Sequence, residues 1–133
     1  MSRGDRGLGG FTELPHARAR GAAAEDAAEA YLRSLGYRVL ERNLTTKLGE
    51  IDLLALDGET LCFVEVKART SGEFGPAIAA VGKRKQARLA RVAALVLARN
   101  RSARACRFDV LGLDRDERGE WRFTLIRNAF QLA

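Results

Sequence analysis

The stretch that most constrains the fold is residues 49–69, which read GEIDLLALDGETLCFVEVKAR. It contains two apolar runs, each interrupted by charged residues, on either side of the dipeptide Asp57-Gly58. This dipeptide tolerates the positive backbone angles of a two-residue turn. The stretch therefore predicts a β-hairpin whose two strands are neighbours in a sheet.

Charged side chains fall on one side of each predicted strand. Because side chains alternate along a strand, Glu50 and Asp52 share one side of the first strand, and Glu65 and Lys67 share one side of the second. The opposite side of the second strand is apolar throughout, which predicts a buried, central strand. Carboxylates that converge on a buried strand need a cation, which predicts a catalytic or metal site. The alternative is a surface hairpin with outward-facing charges, since Glu-x-Lys is a short and common pattern.

Size and charge limit the classes of function. A chain of 133 residues with 47% hydrophobic content predicts one globular domain. The net charge of +6 predicts a polyanionic partner such as nucleic acid, with an anionic membrane surface as the alternative. The sequence has no apolar run near the roughly 18 residues of a membrane span and no secretion signal, which predicts a cytoplasmic protein without membrane contact.

The residue types needed for zinc or for a histidine-dependent nucleophile are sparse. Cys62 and Cys106 lie in separate apolar runs and are predicted to be reduced core thiols. The one histidine, His16, is predicted to lie ahead of the first helix, where it is poorly placed to act as a catalytic base.

The chain begins with a predicted basic arm. Residues 1–20 are rich in Gly and Arg and predict a flexible segment, followed by one domain at 21–133. Apolar residues at helical spacing predict an amphipathic helix over Ala22–Leu35 that Gly36 ends. Glu25 and Glu29 lie one turn apart beside the apolar stripe, so each either points inward along the sheet or is a surface acid.

The remaining pattern predicts an α/β domain with a mixed central sheet flanked by helices, in the order αβββαββ. A loop containing Gly72 and Gly75-Pro76 is predicted to follow the Glu65 strand and to lie near the site. Outside the hairpin, the predicted elements are a strand over Tyr37–Asn43, a helix over Ala77–Asn100, and strands over Cys106–Leu113 and Trp121–Ile126.

Positive charge is concentrated in the second predicted helix and just after it. Between Glu73 and Asp109 the sequence has no acidic residue. Charged helix faces that only contact solvent usually mix signs, so a face of one sign favours contact with phosphates. Asp109 in the next strand either supports the site or makes structural hydrogen bonds. The basic residues at the start of the helix are Lys83, Arg84, Lys85 and Arg88.

This order of residues resembles the restriction-endonuclease-like superfamily, whose signature is an aspartate followed one strand later by (Asp/Glu)-x-Lys. Here the signature corresponds to Asp52 and Glu65-Val66-Lys67. More closely, the chain resembles the YraN-like family of small bacterial proteins, which are related in fold to archaeal Holliday junction resolvases. Ala24 departs from the family pattern, which has glycine before the helix glutamate. The matching segments are Gly21-x-x-x-Glu25, Gly36-Tyr37, Arg42-Asn43, Gly49 to Leu53, Phe63 to Arg69, Lys85, Arg107 to Val110 and Asn128 to Phe130.

The resemblance implies a metal-dependent site. Asp52 and Glu65 would bind one or two Mg²⁺ (or Mn²⁺) ions, with Glu25 completing the ligand set directly or through water. Lys67 would orient the attacking water or stabilise the charge of the phosphorane, and Glu50 is a lower-ranked ligand. Phosphate contacts are expected from Lys85, Gln86 and Arg69.

Two functions of different classes follow from these features. The first is a metal-dependent DNA endonuclease that hydrolyses phosphodiester bonds of branched or flapped DNA in repair or recombination, acting as a homodimer because a two-strand cut needs two sites. The second is a catalytically silent nucleic-acid-binding module that keeps the nuclease fold. A basic protein-interaction domain is a further alternative.

Overall fold

The computed structural model describes residues 15–69, 82–99 and 105–130. The predicted loop around Gly72 and Gly75-Pro76, and the beginning of the predicted second helix, lie outside these ranges. The order αβββαββ agrees with the sequence prediction. The described elements are α1 (Pro15–Ser34), β1 (Arg38–Thr46), β2 (Gly49–Asp57), β3 (Thr60–Arg69), α2 (Lys83–Arg99), β4 (Ala105–Arg115) and β5 (Trp121–Phe130).

Helix α1 starts earlier than the sequence pattern predicted and ends at Ser34, one residue before the predicted end at Leu35. It begins at Pro15 rather than Ala22, so residues 15–20 of the predicted basic arm, including His16, are helical. Proline is well tolerated in the first helical turn, where its missing N–H has no partner to lose. At the other end, Gly36 has φ 94°, and the Tyr37 N–H donates to the Leu32 carbonyl at 3.0 Å, as in a Schellman motif.

The five strands form one mixed sheet in the order β1-β2-β3-β4-β5. Neighbouring strands are antiparallel, except that β3 and β4 are parallel. Parallel neighbours need a crossover connection, and α2 lies within the segment that connects β3 to β4. The prediction that the Glu65 strand is central is confirmed, because β3 is the third of the five strands.

The predicted hairpin is present, with its turn one residue later than the dipeptide signal suggested. Asp57 pairs with Thr60, so the two turn residues are Gly58 and Glu59. Gly58 has φ 63°, the left-handed conformation that glycine adopts without strain. The register that follows from this turn pairs Leu53 with Val64.

The sheet has a hydrophobic layer on each side. Alternate residues of β3 serve both layers, since Phe63 belongs to the α2 layer and Val64 to the α1 layer. The α1 layer is built around Ala24, Ala28, Leu32, Leu53, Cys62 and Leu111, and the α2 layer around Ile51, Leu61, Leu89, Val92, Val96 and Phe108.

Helix α2 packs closely on the start of β2 at Gly49. This glycine has φ 148°, and a Cβ built on it would lie 3.2 Å from both Arg88 Cγ and Val92 Cγ2. A contact this short is tighter than ordinary packing, so the absence of a side chain at residue 49 sets how near the helix approaches the strand.

Both cysteines are free thiols, as predicted. Burial raises the pKa of Cys62 to about 12, which keeps this thiol protonated and unreactive at neutral pH. Across the described ranges, neither helix has the length and apolar character needed to cross a membrane.

Candidate functional site

Strand β2 changes face at Asp52. Ile51 packs in the α2 layer and Leu53 in the α1 layer, although residues two apart in a regular strand share a face. On the neighbouring strand β1, Asn43 lies opposite Asp52, between two regular pairs of the register, and has a left-handed φ of 52°. Both strands are thus irregular at the same position.

Beyond the end of the backbone ladder between β2 and β3, the carboxylate of Asp52 accepts a hydrogen bond from the backbone of β3. The last regular pair is Leu53 with Val64, and beyond it the backbone N–H of Val66 donates to Asp52 Oδ2 at 2.8 Å. Burial and the neighbouring charge of Glu65 raise the pKa of Asp52 to about 7, against the favourable contributions of the Val66 N–H and Lys85. Asp52 is therefore partly buried beside the negative charge of Glu65. A bound cation would reduce the repulsion between these two carboxylates.

Glu65 is almost fully buried, and one of its carboxylate oxygens pairs with the ammonium groups of two lysines. Its side chain is only 7% exposed. Lys67 Nζ lies 3.5 Å from Glu65 Oε2, and Lys85 Nζ donates to the same oxygen. Lys67 and Glu65 thus share a side of β3, as the alternation predicted. We name Asp52, Glu65, Lys67 and Lys85 the Asp52 cluster.

Lys85 reaches this cluster because of its place on α2. The buried stripe of the helix includes Leu89 and Val92, and Lys85 lies one turn before Leu89 on the same face. Its side chain is therefore directed at the sheet, where it contacts Glu65. From its place in the sequence, Lys85 was predicted only to contact phosphate. Its four-residue spacing from Leu89 is the signal that would have revealed the ion pair.

Glu25 approaches the Asp52 cluster from α1. Its Oε1 accepts hydrogen bonds from Asn43 Nδ2 at 3.1 Å and from Arg42 Nη2 at 3.3 Å. Its charge adds to the effects that raise the pKa of Asp52, so the two carboxylates lie in the same region. Of the two placements left open for Glu25, the structure has the inward one. Glu29, one turn later on α1, also pairs with Arg42 and in addition with Arg33.

The other predicted site residues divide by exposure. Glu50 is exposed, in keeping with its lower rank as a ligand. Gln86 is half-buried and its backbone N–H bonds to the Gly82 carbonyl, while the side chain of Arg69 lies outside the described part of the chain. The roles of all these residues stay predictions. Exposed basic side chains on α2 are Lys83, Arg84, Arg88, Arg91 and Arg99.

The carboxylates of Asp52 and Glu65 suit a magnesium ion. Within residues 15–69, 82–99 and 105–130, no group of three or more His, Cys, Asp or Glu side chains is placed to hold a metal ion. Mg²⁺, however, is usually bound through one or two carboxylates and keeps several waters. The two converging carboxylates therefore fit Mg²⁺ or Mn²⁺ with water completing the coordination.

A second polar cluster was not predicted as a unit. Asp109, which is 1% exposed, accepts hydrogen bonds from the Tyr37 hydroxyl at 3.0 Å and from Arg107 Nε at 2.9 Å. Arg107 Nη2 also donates to Asp57 Oδ2 at 2.9 Å, and the Asn128 N–H donates to Asp109 Oδ1 at 2.9 Å. We name these five residues the Asp109 cluster. Of the two roles left open for Asp109, the structure supports structural hydrogen bonding.

The buried charge of Asp109 is matched by the guanidinium of Arg107. Hydrogen bonds to Asp109 and Asp57 raise the pKa of Arg107 although burial opposes the shift. Burial is the main cause that raises the pKa of Tyr37, so its hydroxyl stays protonated and able to donate.

Comparison with known proteins gives a consistent family. The profile described as "Uncharacterised protein family UPF0102" matches residues 24–113. A UPF0102 protein of Symbiobacterium thermophilum is 48% identical over 83% of this chain and 94% of its own length. The corresponding protein of Moorella thermoacetica is 49% identical over 76% of this chain and 87% of its own. That of Geobacter metallireducens is 42% identical over 89% and 97%.

Among solved structures, one titled "The structure of Pyrococcus Furiosus SfsA in complex with Ca2+" aligns with a TM-score of 0.34 and 16% identity. The alignment covers 80% of this chain and 62% of that one. At this TM-score the likeness carries no information about function.

Proposed function

We propose that this chain, which belongs to the UPF0102 family of YraN-like proteins, is a metal-dependent endonuclease that hydrolyses phosphodiester bonds of branched DNA. The family membership confirms the resemblance drawn from the sequence, including its place in the restriction-endonuclease-like superfamily. The observation that supports the reaction best is that Asp52, Glu65 and Lys67 converge where the β2–β3 ladder ends.

The chemistry follows from the groups in the Asp52 cluster. Asp52 and Glu65 would hold Mg²⁺, which when bound lowers the pKa of a water and polarises the scissile phosphate. Lys67 lies close enough to Glu65 to orient that water or to stabilise negative charge on the phosphorane. Because burial limits water around Glu65, these positioned charges act with little screening.

Lys85 supplies a second positive charge to the site. Without a cation, its ammonium group and that of Lys67 share Glu65 Oε2 and neutralise its charge. We propose that Lys85 turns from Glu65 to a phosphate oxygen when metal and DNA are bound. With this movement, Lys85 would form the ion pair with Glu65 in the free protein and the predicted phosphate contact in the complex.

The exposed basic side chains of α2 would bind the phosphates of the DNA backbone next to the site. Lys83, Arg84 and Arg88 are exposed on the helix that also supplies Lys85. Neutralising phosphates with such residues releases counterions, which favours binding at low salt. Cutting both strands of a branch needs two sites, so we propose a homodimer as the acting unit, working in the cytoplasm.

A cleavage screen with Mg²⁺ and Mn²⁺ over four-way junction, flap, single-stranded and duplex DNA tests this function. Because Lys67 acts on charge that develops in the transition state, Lys67→Ala is expected to lower the cleavage rate by about 10² to 10³-fold. Asp52→Ala is expected to abolish cleavage while DNA binding persists. Glu117→Ala, which removes an exposed carboxylate between β4 and β5, is the matched control. Cleavage that is unchanged in both site variants would reject the proposal.

A silent nucleic-acid-binding module remains the second candidate. It is favoured by the lack of a three-carboxylate metal group in the described residues and by the two lysines already paired with Glu65. This function predicts DNA binding that weakens steeply with salt, and no cleavage with any divalent ion. If Arg88 contacts a phosphate, Arg88→Ala should reduce the slope of log K against log salt by about one.

A further inference from the structure

Within the described part of the chain, Glu25 is held through one of its two carboxylate oxygens. Asn43 Nδ2 and Arg42 Nη2 both donate to Oε1, at 3.1 and 3.3 Å. Among the residues that the structure describes, these bonds fix the orientation of the carboxylate without using Oε2. A carboxylate held in this way presents its second oxygen in a defined direction.

Arg42 ties α1 to β1 from a buried position. Its side chain is 6% exposed, and Nη1 donates to Asp26 at 2.7 Å and to Glu29 at 3.2 Å. Burial alone would lower the pKa of Arg42, but these bonds and the bond to Glu25 raise it, so the charge is kept. Its Nε is buried and has no hydrogen-bond partner within the described structure. The fork of the guanidinium is thus directed at the acids of α1 at the cost of one unsatisfied donor.

Asn43 lies next to both carboxylates, Glu25 and Asp52. Its backbone lies opposite Asp52 at the point where β2 changes face, and its side chain reaches Glu25. The left-handed φ of 52° is a conformation that asparagine tolerates better than most residues. The irregular backbone of β1 therefore brings the amide of Asn43 to the carboxylate of α1.

We propose that Arg42 and Asn43 are positioning residues that present Glu25 Oε2 toward the cation held by Asp52 and Glu65, through an intervening water. The proposal rests on the proposed function, because it assumes a cation at that site. It assigns to Glu25 the water-mediated role, and to Arg42 and Asn43 the task of keeping the carboxylate fixed. Partners that orient the groups around a metal in this way commonly contribute 10 to 100-fold in affinity.

The test is Mn²⁺ binding to the full chain, measured by titration calorimetry without DNA, in Asn43→Gly. Glycine adopts a positive φ without strain, so this change removes the amide and keeps the backbone. Asn128→Gly is the matched control, because Asn128 has nearly the same φ of 53° and its backbone N–H belongs to the Asp109 cluster. Mn²⁺ binding is expected to weaken about 10-fold in Asn43→Gly and to be unchanged in Asn128→Gly.

A double variant separates positioning from a general structural effect. If Asn43 acts through Glu25, then Asn43→Gly should cost little further Mn²⁺ affinity in a Glu25→Gln background. An equal loss in both backgrounds, or equal affinity in Asn43→Gly and Asn128→Gly, would overturn the positioning role while wild-type binding and cleavage stand. A wild-type chain that binds no Mn²⁺ would overturn both this role and the metal-dependent function.

Discussion

The Asp109 and Asp52 clusters each hold a carboxylate within the sheet, and they treat it in opposite ways. Asp109 accepts hydrogen bonds from Arg107, from the Tyr37 hydroxyl and from a backbone N–H. Asp52 accepts one backbone N–H and faces the carboxylate of Glu65, which is among the causes that raise its pKa. The first carboxylate is fully compensated by the protein, whereas the second is left partly uncompensated.

This difference separates a structural polar cluster from a candidate functional one. A buried charge that is matched by the protein has no need of a ligand. Over the described ranges, Asp52 pairs with no cation of its own and is buried beside Glu65, which already holds both lysines, and perturbed carboxylates of this kind are concentrated at functional sites. Burial alone would have ranked Asp109, at 1% exposure, above the half-buried Asp52. The partners, and not the burial, distinguish the two.

The largest effect on stability is expected at the matched cluster. Asp109→Ala leaves Arg107 Nε, the Tyr37 hydroxyl and the Asn128 N–H without their buried acceptor, and we expect a loss of about 3 to 5 kcal/mol in the free energy of unfolding. Urea denaturation measures this loss, with the exposed Glu50→Ala expected to stay within about 0.5 kcal/mol of the wild type. A loss below 1 kcal/mol would show that the cluster is not a structural support.

The opposite sign is expected at the Asp52 cluster. The pKa of Asp52 in the folded chain, about 7, lies above the ordinary value of 3.8, so the folded state binds the proton more tightly. The stability contribution of Asp52 is therefore greatest below about pH 4 and falls as the pH rises to about 7. Asp52→Asn removes this penalty and should raise the free energy of unfolding by about 1 to 3 kcal/mol at pH 8 in metal-free buffer.

The pH dependence provides the control for Asp52→Asn. The gain should shrink as the pH falls toward 5, because Asp52 of the wild type is then largely protonated in the folded state. Thermal unfolding in the presence of a chelator at pH 5 and pH 8 checks it. A variant less stable than the wild type at pH 8 would mean that the ionised carboxylate of Asp52 is already compensated.

A smaller effect is expected for the hydroxyl at the centre of the matched cluster. Tyr37 donates to Asp109 and accepts from Arg107 at 2.7 Å, so Tyr37→Phe removes hydrogen bonds without opening a cavity. We expect a loss of about 1 kcal/mol in the free energy of unfolding, and cleavage per folded molecule equal to the wild type. A drop in cleavage that exceeds the loss of folded protein would connect the two clusters and weaken the contrast between them.

Local sequence signals were sufficient for most of the fold. The alternation around Glu65 predicted a central strand with one apolar side, and Gly36 predicted the end of α1. The start of α1 was missed because the residues before Ala22 lack an apolar stripe, although Pro15 is a good first-turn residue. Fold elements whose causes lie within a few residues could thus be predicted.

The residues of the candidate site could be selected from the sequence, whereas the contacts among them could not be predicted. Glu25, Asp52, Glu65 and Lys67 were selected from motif spacing, and the structure brings them into one region. The face change at Asp52 could not be foreseen, because it depends on the backbone of β1 as well as that of β2. The Asp109 cluster joins residues far apart in sequence, such as Tyr37 and Asp109, and no local pattern reports such a pair.

The absence of a side chain at Gly49 lets α2 lie close enough to β2 for Lys85 to reach the Asp52 cluster. Because Arg88 and Val92 of α2 would meet even a methyl group at residue 49, that group would work as a spacer between helix and strand. Lys85 is carried on the first turn of the same rigid helix, so a wedge at Gly49 would draw its ammonium away from Glu65. The distance between α2 and β2, and with it the distance between the Lys85 ammonium and the Glu65 carboxylate, thus depends on residue 49 having only a hydrogen atom in place of a side chain.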